Sequence, residues 1–337
     1  MKESTKLRIL LIVLGVAITV IPHLFGDSDN LQDARFLIWQ DYLAGYMDGN
    51  GNVVIEPQYS FAYEFSEGIG AYKENNKYGF IDKDGHRITE PEFDYAEFFH
   101  EGLCNVQKDG KFGAIDKTGE FVFQFKCDYL GGFQEGLAHF SKDGKYGYVD
   151  RDGEVAIMPI FDRAEPFSEG LAAVKTGDKY GFINKNGDVV IDAVYYLALW
   201  FSDGLAPVAT ALNDKFGFID TSGAMVIEPV YQFAEPFASG RARIVQDDKN
   251  GFIDRNGKII IESRYAEASS FSEDLAIVRF GADEAGIIDL DGNVVARLKG
   301  KDIIVNPFTK GLAMVLIDYV EVGYINTSGN YVREPVE

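Results

Sequence analysis

Apolar residues recur along the chain in short runs, and turn residues separate the runs at a nearly constant spacing. A glycine in the middle of one such run returns every 34 to 37 residues, at Gly45, Gly79, Gly113, Gly147, Gly181, Gly217, Gly251, Gly286 and Gly323. A period this regular indicates a repeat protein, in which each unit packs only on its neighbours. We therefore expect about nine units, not the two ordinary domains that 337 residues would allow.

Each unit predicts an antiparallel meander of three strands, termed A, B and C. The best-preserved unit places strand A at 170–175, strand B at 179–184 and strand C at 188–191. The B–C turn, as at 150–153, begins with Asp or Asn and ends with Gly, which suits a type I turn followed by a left-handed glycine. Strands A and C are continuous apolar runs, so we expect neighbouring units to bury both of their faces.

Two further recurrent residues predict local structure. A glycine inside a strand is typical of close approach by a bulky group, so we expect an aromatic ring of a neighbouring unit to cover it. A proline follows strand C and lacks the N–H that a strand needs, so we expect it to end that strand. The prolines are Pro57, Pro91, Pro159 and Pro229.

The connector between units ends on a motif of the type Phe-Ser-Glu-Gly, as at 65–68 and 167–170. Its acids share one register, so they could line up along one edge of the array as a candidate binding surface, although we favour a solvated turn position as their explanation. These acids are Glu67, Glu101, Glu135, Glu169, Asp203 and Glu273. Trp200 is a bulky ring outside the repeat pattern, and we treat it as a candidate for stacking on carbohydrate.

Two architectures fit stacked meanders: an open superhelical solenoid and a closed β-propeller. We favour the open solenoid, because the array starts in the register of strand A at 36–39 and stops in that of strand C at 330–332. Nine units also exceed the four to eight blades of most propellers. Ala44 and Val322 replace the aromatic residue before the glycine, as end caps would.

Charge limits the classes of partner. The net charge is −21, and residues 1–26 contribute +2, which leaves −23 for the array. Because binding to nucleic acid needs clusters of Lys and Arg, we expect no nucleic-acid partner. Solubility explains the acidity, with attraction of a basic partner or of cations as the alternative.

The N-terminal residues predict export or anchoring. Lys6 and Arg8 precede an apolar run over 9–21, so we expect a signal peptide or membrane anchor at residues 1–26 and a repeat domain at 34–337. Anchoring would use residues 7–25, although the run is short for a spanning helix of about 20 residues. Both alternatives place the array outside the cytoplasm, as a secreted, periplasmic or membrane-anchored protein.

No metal, cofactor or catalytic motif emerges. Cys104 and Cys127 lie in core registers, with a disulfide left open.

The B–C turns resemble the start of a calcium loop, but their glycine is fourth instead of sixth, so we expect turns and no metal. The histidines, His139 among them, lie in non-equivalent registers without a known catalytic motif. A pocket whose non-repeat polar residues converge within hydrogen-bond distance would favour an enzyme instead.

The sequences at 78–85 and 180–187, together with the connector motif, resemble the WG repeats (WG/KWG family) of bacterial proteins over residues 34–335. This chain has Tyr or Phe, never Trp, before the glycine of these units. The resemblance implies a β-rich repeat scaffold, often of the cell envelope, without catalytic residues. We therefore expect a non-enzymatic binding or scaffolding module of the bacterial envelope that recognises a protein or a cell-wall polymer. Carbohydrate binding through exposed aromatic residues is the first alternative and an enzyme is the second.

Overall fold

The computed structural model describes residues 31–336 except 32, 213–214, 282, 300–302 and 318–320. The signal peptide or anchor expected at residues 1–26 lies outside the described residues. Within them the strands form nine antiparallel sheets of three or four strands each. None of the described residues belongs to a helix that is long and apolar enough to span a membrane.

Thirty-four strands are present in the described residues, and they follow the order of the sheets. Sheets 1 to 3 comprise β1 (Phe36–Gln40), β2 (Leu43–Met47), β3 (Val53–Tyr59); β4 (Phe61–Ala62), β5 (Ile69–Glu74), β6 (Lys77–Asp82), β7 (Arg87–Phe93); β8 (Tyr95–Ala96), β9 (Leu103–Lys108), β10 (Lys111–Asp116) and β11 (Phe121–Phe125). Sheets 4 to 6 comprise β12 (Tyr129–Gln134), β13 (Leu137–Lys142), β14 (Lys145–Asp150), β15 (Val155–Phe161); β16 (Arg163–Ala164), β17 (Leu171–Thr176), β18 (Lys179–Asn184), β19 (Val189–Tyr195); β20 (Leu197–Ala198), β21 (Leu205–Ala209), β22 (Phe216–Asp220) and β23 (Met225–Tyr231). Next in the chain come β24 (Phe233–Ala234) and the meander of sheet 7, with β25 (Ala242–Gln246), β26 (Lys249–Ile253) and β27 (Ile259–Tyr265). Sheets 8 and 9 comprise β28 (Leu275–Gly281), β29 (Glu284–Asp289), β30 (Val294–Lys299); β31 (Ile304–Val305), β32 (Leu312–Ile317), β33 (Glu321–Asn326) and β34 (Tyr331–Val336).

The three-stranded meander is present in each sheet, and the connector adds a strand that the sequence did not predict. In sheet 2 the order is β4-β5-β6-β7, with Phe61 paired to Lys73 and Ala62 to Tyr72. In sheets 2 to 6 and in sheet 9 the start of the connector forms an edge of the next sheet, here called its first strand. Strand C forms the opposite edge, here called the last strand of its sheet.

The mid-strand glycine makes room for a bulge in the last strand. In sheet 4, Tyr146 pairs with Phe161 and Tyr148 with Ile157, so three residues including Pro159 lie opposite Gly147. A Cβ at residue 147 would lie 2.4 Å from the carbonyl oxygen of Ile157. The expected ring from a neighbouring unit is therefore wrong for this glycine, because backbone of its own sheet occupies the space. The proline likewise sits in the bulge and does not end β15.

Only part of the predicted burial of strands A and C is present. Leu171 to Val174 of strand A are buried, as expected. In the last strand β19, however, Val189 is 63 % exposed while Ile191 and Tyr195 are buried. The bulge lies between the two buried residues and resets the alternation of faces, so β19 has two core anchors with exposed residues around them, as do β15, β23 and β27.

The B–C turn agrees with the sequence. Gly153 has φ of 83° and donates its N–H to the carbonyl of Asp150, at 3.1 Å. The carboxylate of Asp150 accepts the N–H groups of Asp152 and Glu154, at 3.0 and 2.9 Å. Asp at the first position is therefore a turn residue.

Both thiols lie in the core as free cysteines. Cys104 packs in the core of sheets 2 and 3, and Cys127 in that of sheets 3 and 4. The disulfide that the sequence left open is not formed.

The chain divides into two compact units. The first comprises Met1–Tyr59, Ala238–Asp254 and Lys258–Glu337, and the second comprises Ser60–Phe237 and Arg255–Gly257. Sheets 2 to 6 lie in the second unit, where successive sheets share cores. Between sheets 5 and 6, for example, Phe182 and Tyr195 pack with Phe201 and Val208.

Within the first unit, the first sheet packs against the last one. Phe36 and Ile38 share a core with Leu316 and Tyr324, and the Tyr324 hydroxyl donates to the carbonyl of Leu37, at 2.6 Å. The B–C turn of the first sheet also approaches the last sheet in the way that B–C turns approach the preceding sheet elsewhere. A Cβ on the turn glycine Gly187 would lie 3.3 Å from Ile157 of the preceding sheet, and one on Gly51 would lie 2.7 Å from Val332 in β34.

The expectation of an open solenoid is therefore wrong, and the fold is a closed β-propeller of nine sheets in the described residues. Ends that stop at whole units are compatible with closure, because the last sheet can accept the first directly. The end residues taken as caps are buried: Ala44 is fully buried and Val322 lies in the shared core.

Candidate functional site

The connector motif links each sheet to the next through two side chains. Ser168 donates its hydroxyl to the carbonyl of Phe201, the phenylalanine of the following motif, at 2.6 Å. Glu101 accepts the N–H groups of Glu135 and Gly136 in the following motif, at 2.6 and 2.8 Å. The phenylalanines themselves are core residues. A motif that carries these side chains therefore satisfies backbone groups of its successor, whereas the motif at 237–240 has Ala238 and Ser239 in their places.

The acids of this motif have a left-handed backbone, with φ of 50° to 54°. That conformation turns the carboxylate towards the next motif, where Glu67, Glu169 and Glu273 accept the amide of the following glycine at 2.8 to 2.9 Å. A cation from the B–C turn of the next sheet joins several of them. Lys117 lies 3.0 Å from Glu67 and Lys185 lies 3.0 Å from Glu135.

The candidate binding acids Glu67, Glu101, Glu135, Glu169, Asp203 and Glu273 thus share one structural position. The contacts given above for Glu67, Glu101, Glu135, Glu169 and Glu273 are to scaffold groups, which explains why an acid recurs there. Their role in ligand binding stays a prediction. Trp200 lies in the loop after β20 and is half-buried, so it is not a fully presented stacking platform.

A second polar cluster involves residues that break the repeat. After the first strand, backbone bonds pair Tyr63 with Ala71, Glu97 with Asn105 and Glu165 with Ala173. The strand A residue of this pair is Ala or Pro in sheets 2, 5 and 6, whereas sheet 3 has Asn105 and sheet 4 has His139 at that register. Two polar side chains therefore occupy adjacent sheets at positions that are apolar elsewhere in the second unit.

The first-strand cluster consists of Tyr95, Glu97, Asn105, Tyr129 and His139. The hydroxyl of Tyr95 donates to Glu97 Oε1 at 2.8 Å, and Asn105 Nδ2 lies 3.5 Å from Glu97 Oε2. Asn105 also donates to the carbonyl of Gly131 in the next sheet. The ring of Tyr129 lies 5.5 Å from that of His139. The cluster therefore spans the first strands of sheets 3 and 4.

Gly131 is the residue that admits His139. A Cβ at residue 131 would lie 2.1 Å from Cε1 of His139, so the imidazole occupies the volume of the missing side chain. A Cβ at the neighbouring Gly132 would have room and would lie 3.6 Å from Glu97 Oε2. The Glu97 carboxyl thus reaches the first strand of sheet 4.

Burial dominates the electrostatics of the cluster. It raises the pKa of Glu97 to about 7, although the hydrogen bonds from Tyr95 and Asn105 act in the opposite direction. It lowers the pKa of His139 to about 4, so the imidazole is neutral at pH 7. Burial, and then the charge of Glu97, raise the pKa of the Tyr95 and Tyr129 phenols. No cation lowers the pKa of Glu97.

These properties suit binding better than nucleophilic catalysis. The non-repeat residues Asn105 and His139 lie close together, which is one part of the condition stated for an enzyme, and the expectation of no enzyme stays a prediction. The nearby nucleophile is Cys104, and burial followed by the charge of Glu97 raises the pKa of its thiol, which keeps it protonated and unreactive. Glu97 offers hydrogen-bond acceptors and, with a pKa of about 7, is a group that titrates near neutral pH, and His139 is a further polar group.

One group of three metal-type ligands occurs among the described residues, at Asp82, Asp84 and His86 in a B–C turn. The Asp82 carboxylate already accepts the N–H groups of Asp84 and His86, both at 2.9 Å. It therefore serves the turn, like Asp150 in sheet 4.

The sequence analysis overlooked Glu97 and Asn105 and treated His139 only as an isolated histidine. Glu97 lies four residues before Glu101, so it read as one more acid of an acidic connector. The available signal was the register: Asn105 and His139 replace the alanine of Ala71 and Ala173 in strand A.

The fold and the connector contacts define a closed repeat protein built from sequence-similar sheets. The model of the WG containing repeat matches residues 45–78, 78–112, 112–146, 146–180, 180–210, 216–249 and 251–282. The chain belongs to this family, which confirms the resemblance noted in the sequence. No curated protein matches the chain.

Solved structures share the fold at low identity. A protein titled as the eukaryotic initiation factor is 12 % identical, with a TM-score of 0.65 over 90 % of this chain and 97 % of its own. BamB from Moraxella catarrhalis is 12 % identical, with a TM-score of 0.43 over 88 % and 92 %. The first likeness shows the fold alone, and the second is too weak for any conclusion. WG repeats on a propeller fold are consistent with a repeat-based binding or scaffolding module.

Proposed function

We propose that this chain is a non-enzymatic binding module of the bacterial cell envelope and that its ligand is a protein. The supporting observation is an apolar edge in the second unit, on the last strands of three successive sheets. It consists of Val155, Met158, Ile160, Val189, Val194 and Val230, which are 48 to 65 % exposed. Several exposed apolar side chains on the edge strands of successive sheets favour an interaction surface.

The chemistry of the edge favours side-chain contacts over strand addition. An unpaired last strand can pair with another chain, but prolines and bulges oppose such pairing. Pro159 and Pro229 lie in the bulges of β15 and β23. A partner would therefore pack apolar side chains against Met158 and Ile160, which favours a folded protein over a hydrophilic cell-wall polymer.

Capture from envelope extract tests the partner. The full chain is compared with a triple variant, Met158→Gln, Ile160→Thr and Val189→Thr, which keeps the net charge. The matched control carries Val294→Thr and Val295→Thr on the last strand of sheet 8, where exposure is 41 and 42 %. We expect one protein to be retained at moderate salt, with at least tenfold less recovered by the triple variant and no loss with the control.

Three results would contradict the proposal. They are failure to retain any protein reproducibly, equal retention by the triple variant, and retention of purified cell-wall polymer that Trp200→Ala abolishes. The last result would favour the carbohydrate alternative.

Location is a separate part of the proposal. The apolar run at 9–21 behind Lys6 and Arg8 supports export or anchoring through residues 7–25. We expect the array to be digested by protease added to intact spheroplasts. A cytoplasmic marker in the same sample should survive, and protection of the array would contradict the proposed location.

A further inference from the structure

We propose that the first-strand cluster around Glu97 binds the primary ammonium group of an organic cation. This site is separate from the apolar edge, and its existence does not depend on an envelope partner. Its residues lie in sheets 3 and 4 of the second unit.

The first observation is a set of buried acceptors without donors. Asn105 is 1 % exposed, and its Oδ1 has no hydrogen-bond partner among the described residues although its Nδ2 lies against the Glu97 carboxyl. Nδ1 of the neutral His139 is also buried without a partner there. Since unsatisfied buried polar atoms cost stability, these two atoms indicate a missing donor group. They belong to residues that both contact Gly131.

The second observation is the chemistry of the surroundings. The Glu97 carboxylate and Asn105 Oδ1 are acceptors, and His139 Nδ1 accepts when the ring proton is on Nε2. A ligand that satisfies them must supply several donors. A primary ammonium carries three N–H donors and one positive charge. Tyr95 contacts the carboxyl through its hydroxyl, at 2.8 Å, and Tyr129 lies near enough for the charge of Glu97 to raise its pKa. The faces of aromatic rings attract cations.

The site is open to solvent on one side. Tyr129 is 36 % exposed as a residue, and Glu97 and His139 are half-buried. A metal ion fits less well, because Glu97, Cys104 and His139 do not bring three ligand atoms within 4.8 Å of one another in the described residues. An alkylammonium group needs no such convergence.

Protonation gives the site a pH dependence with a defined sign. The titratable groups facing Glu97 are Tyr63, Tyr95, Cys104 and Tyr129, all neutral at pH 7 because burial raises each pKa. Glu97, with a pKa of about 7, is therefore the group that titrates. A cation binds its ionised form, so affinity rises with pH through 7 and changes about tenfold between pH 6 and pH 8.

Calorimetric titration of the full chain with butylammonium chloride tests the site, and 1-butanol serves as the neutral probe. We expect butylammonium to bind about tenfold more tightly at pH 8 than at pH 6, and butanol not to bind. Glu97→Gln should weaken binding at pH 8 at least tenfold. Glu120→Gln removes an exposed acid of the same sheet and should leave binding unchanged. Tyr129→Leu, which keeps an apolar group at a partly exposed position, should weaken binding several-fold.

Several outcomes would overturn the assignment. They are no binding at either pH, equal binding of butanol, and equal affinity of Glu97→Gln. Tight binding of zinc chloride alone that Glu97→Gln abolishes would assign a metal site in its place. Circular dichroism of each variant establishes that it is folded, and if Glu97→Gln is not, the pH dependence and the Tyr129→Leu variant decide.

Discussion

Glu97 and Glu101 lie four residues apart in one connector and have opposite surroundings. Glu101 recurs in the repeat and accepts two backbone N–H groups of the next motif, at 2.6 and 2.8 Å. The Glu97 carboxyl receives side-chain bonds from Tyr95 and Asn105 and has a pKa raised by burial. Acids recur at its register, at Glu165 and Glu235, but Asn105 replaces the alanine that stands opposite Glu165. The comparison teaches that an acid bonded to the backbone of the next motif completes the scaffold, whereas an acid bonded to side chains, one of which (Asn105) breaks the repeat, is free to serve a ligand.

The largest expected loss of stability comes from replacing a glycine that recurs in the repeat, compared with one that does not. Gly147→Ala places a Cβ 2.4 Å from the carbonyl oxygen of Ile157, and backbone cannot move away cheaply. We expect this repeated position to lose about 3 kcal/mol of unfolding free energy, measured by urea denaturation. At the non-repeated Gly131 the obstacle is the His139 side chain, so Gly131→Ala should cost less.

Gly132→Ala is the matched control, since its new Cβ would make an ordinary contact at 3.6 Å. It should change stability by less than about 0.5 kcal/mol. If Gly147→Ala and Gly132→Ala were equally stable, the proposed role of the mid-strand glycine would be wrong.

The two acids give the next largest effect. Glu101→Ala leaves two N–H groups of the following motif without an acceptor, which should cost about 2 kcal/mol in the same urea measurement. Glu120→Ala, at an exposed position of sheet 3, should cost under about 0.5 kcal/mol. If Glu101→Ala and Glu120→Ala were equally stable, the proposed structural role of the connector acid would be wrong.

Glu97→Gln should behave in the opposite way and depend on pH. The folded-state pKa of about 7 exceeds the ordinary 4.5, so the folded protein holds a proton that the unfolded chain releases. Stability of the wild type therefore falls as pH rises from about 4.5 to above 7. We expect the variant and wild type to be similar at pH 5 and the variant to be more stable by about 1 to 2 kcal/mol at pH 8.

The pH dependence of stability that comes from His139 must be separated from the contribution of Glu97. Its lowered pKa removes stability as pH falls from 6.5 towards 4, which is the opposite direction. The difference between wild type and Glu97→Gln, measured at each pH, isolates Glu97. A difference that stays constant from pH 5 to pH 8 would show that the Glu97 pKa is not raised.

Sequence predicted local features well, because each depends on few neighbouring residues. The glycine period placed the nine sheets, and Asp150 with Gly153 defined the turn. The bulge escaped prediction because it depends on which residues of β15 face Gly147 across the sheet. Closure escaped because Phe36 and Tyr324 are almost three hundred positions apart. The Glu97 cluster escaped because its members come from two sheets, although Asn105 and His139 already departed from the alanine register.

The smallest effect concerns the serine of the connector motif. Ser168→Ala removes the 2.6 Å hydrogen bond to the carbonyl of Phe201 and leaves that carbonyl of the next motif without this donor. We expect a loss of about 1 kcal/mol in urea denaturation. Ser60→Ala is the control, since its 3.0 Å bond to the carbonyl of Lys73 is exposed and water can replace it. Because Ser168 joins two sheets, amides of the motif at 201–204 should also exchange hydrogen faster in Ser168→Ala. If exchange there is unchanged while stability falls, the serine stabilises its own sheet and the motif does not link successive sheets through this bond.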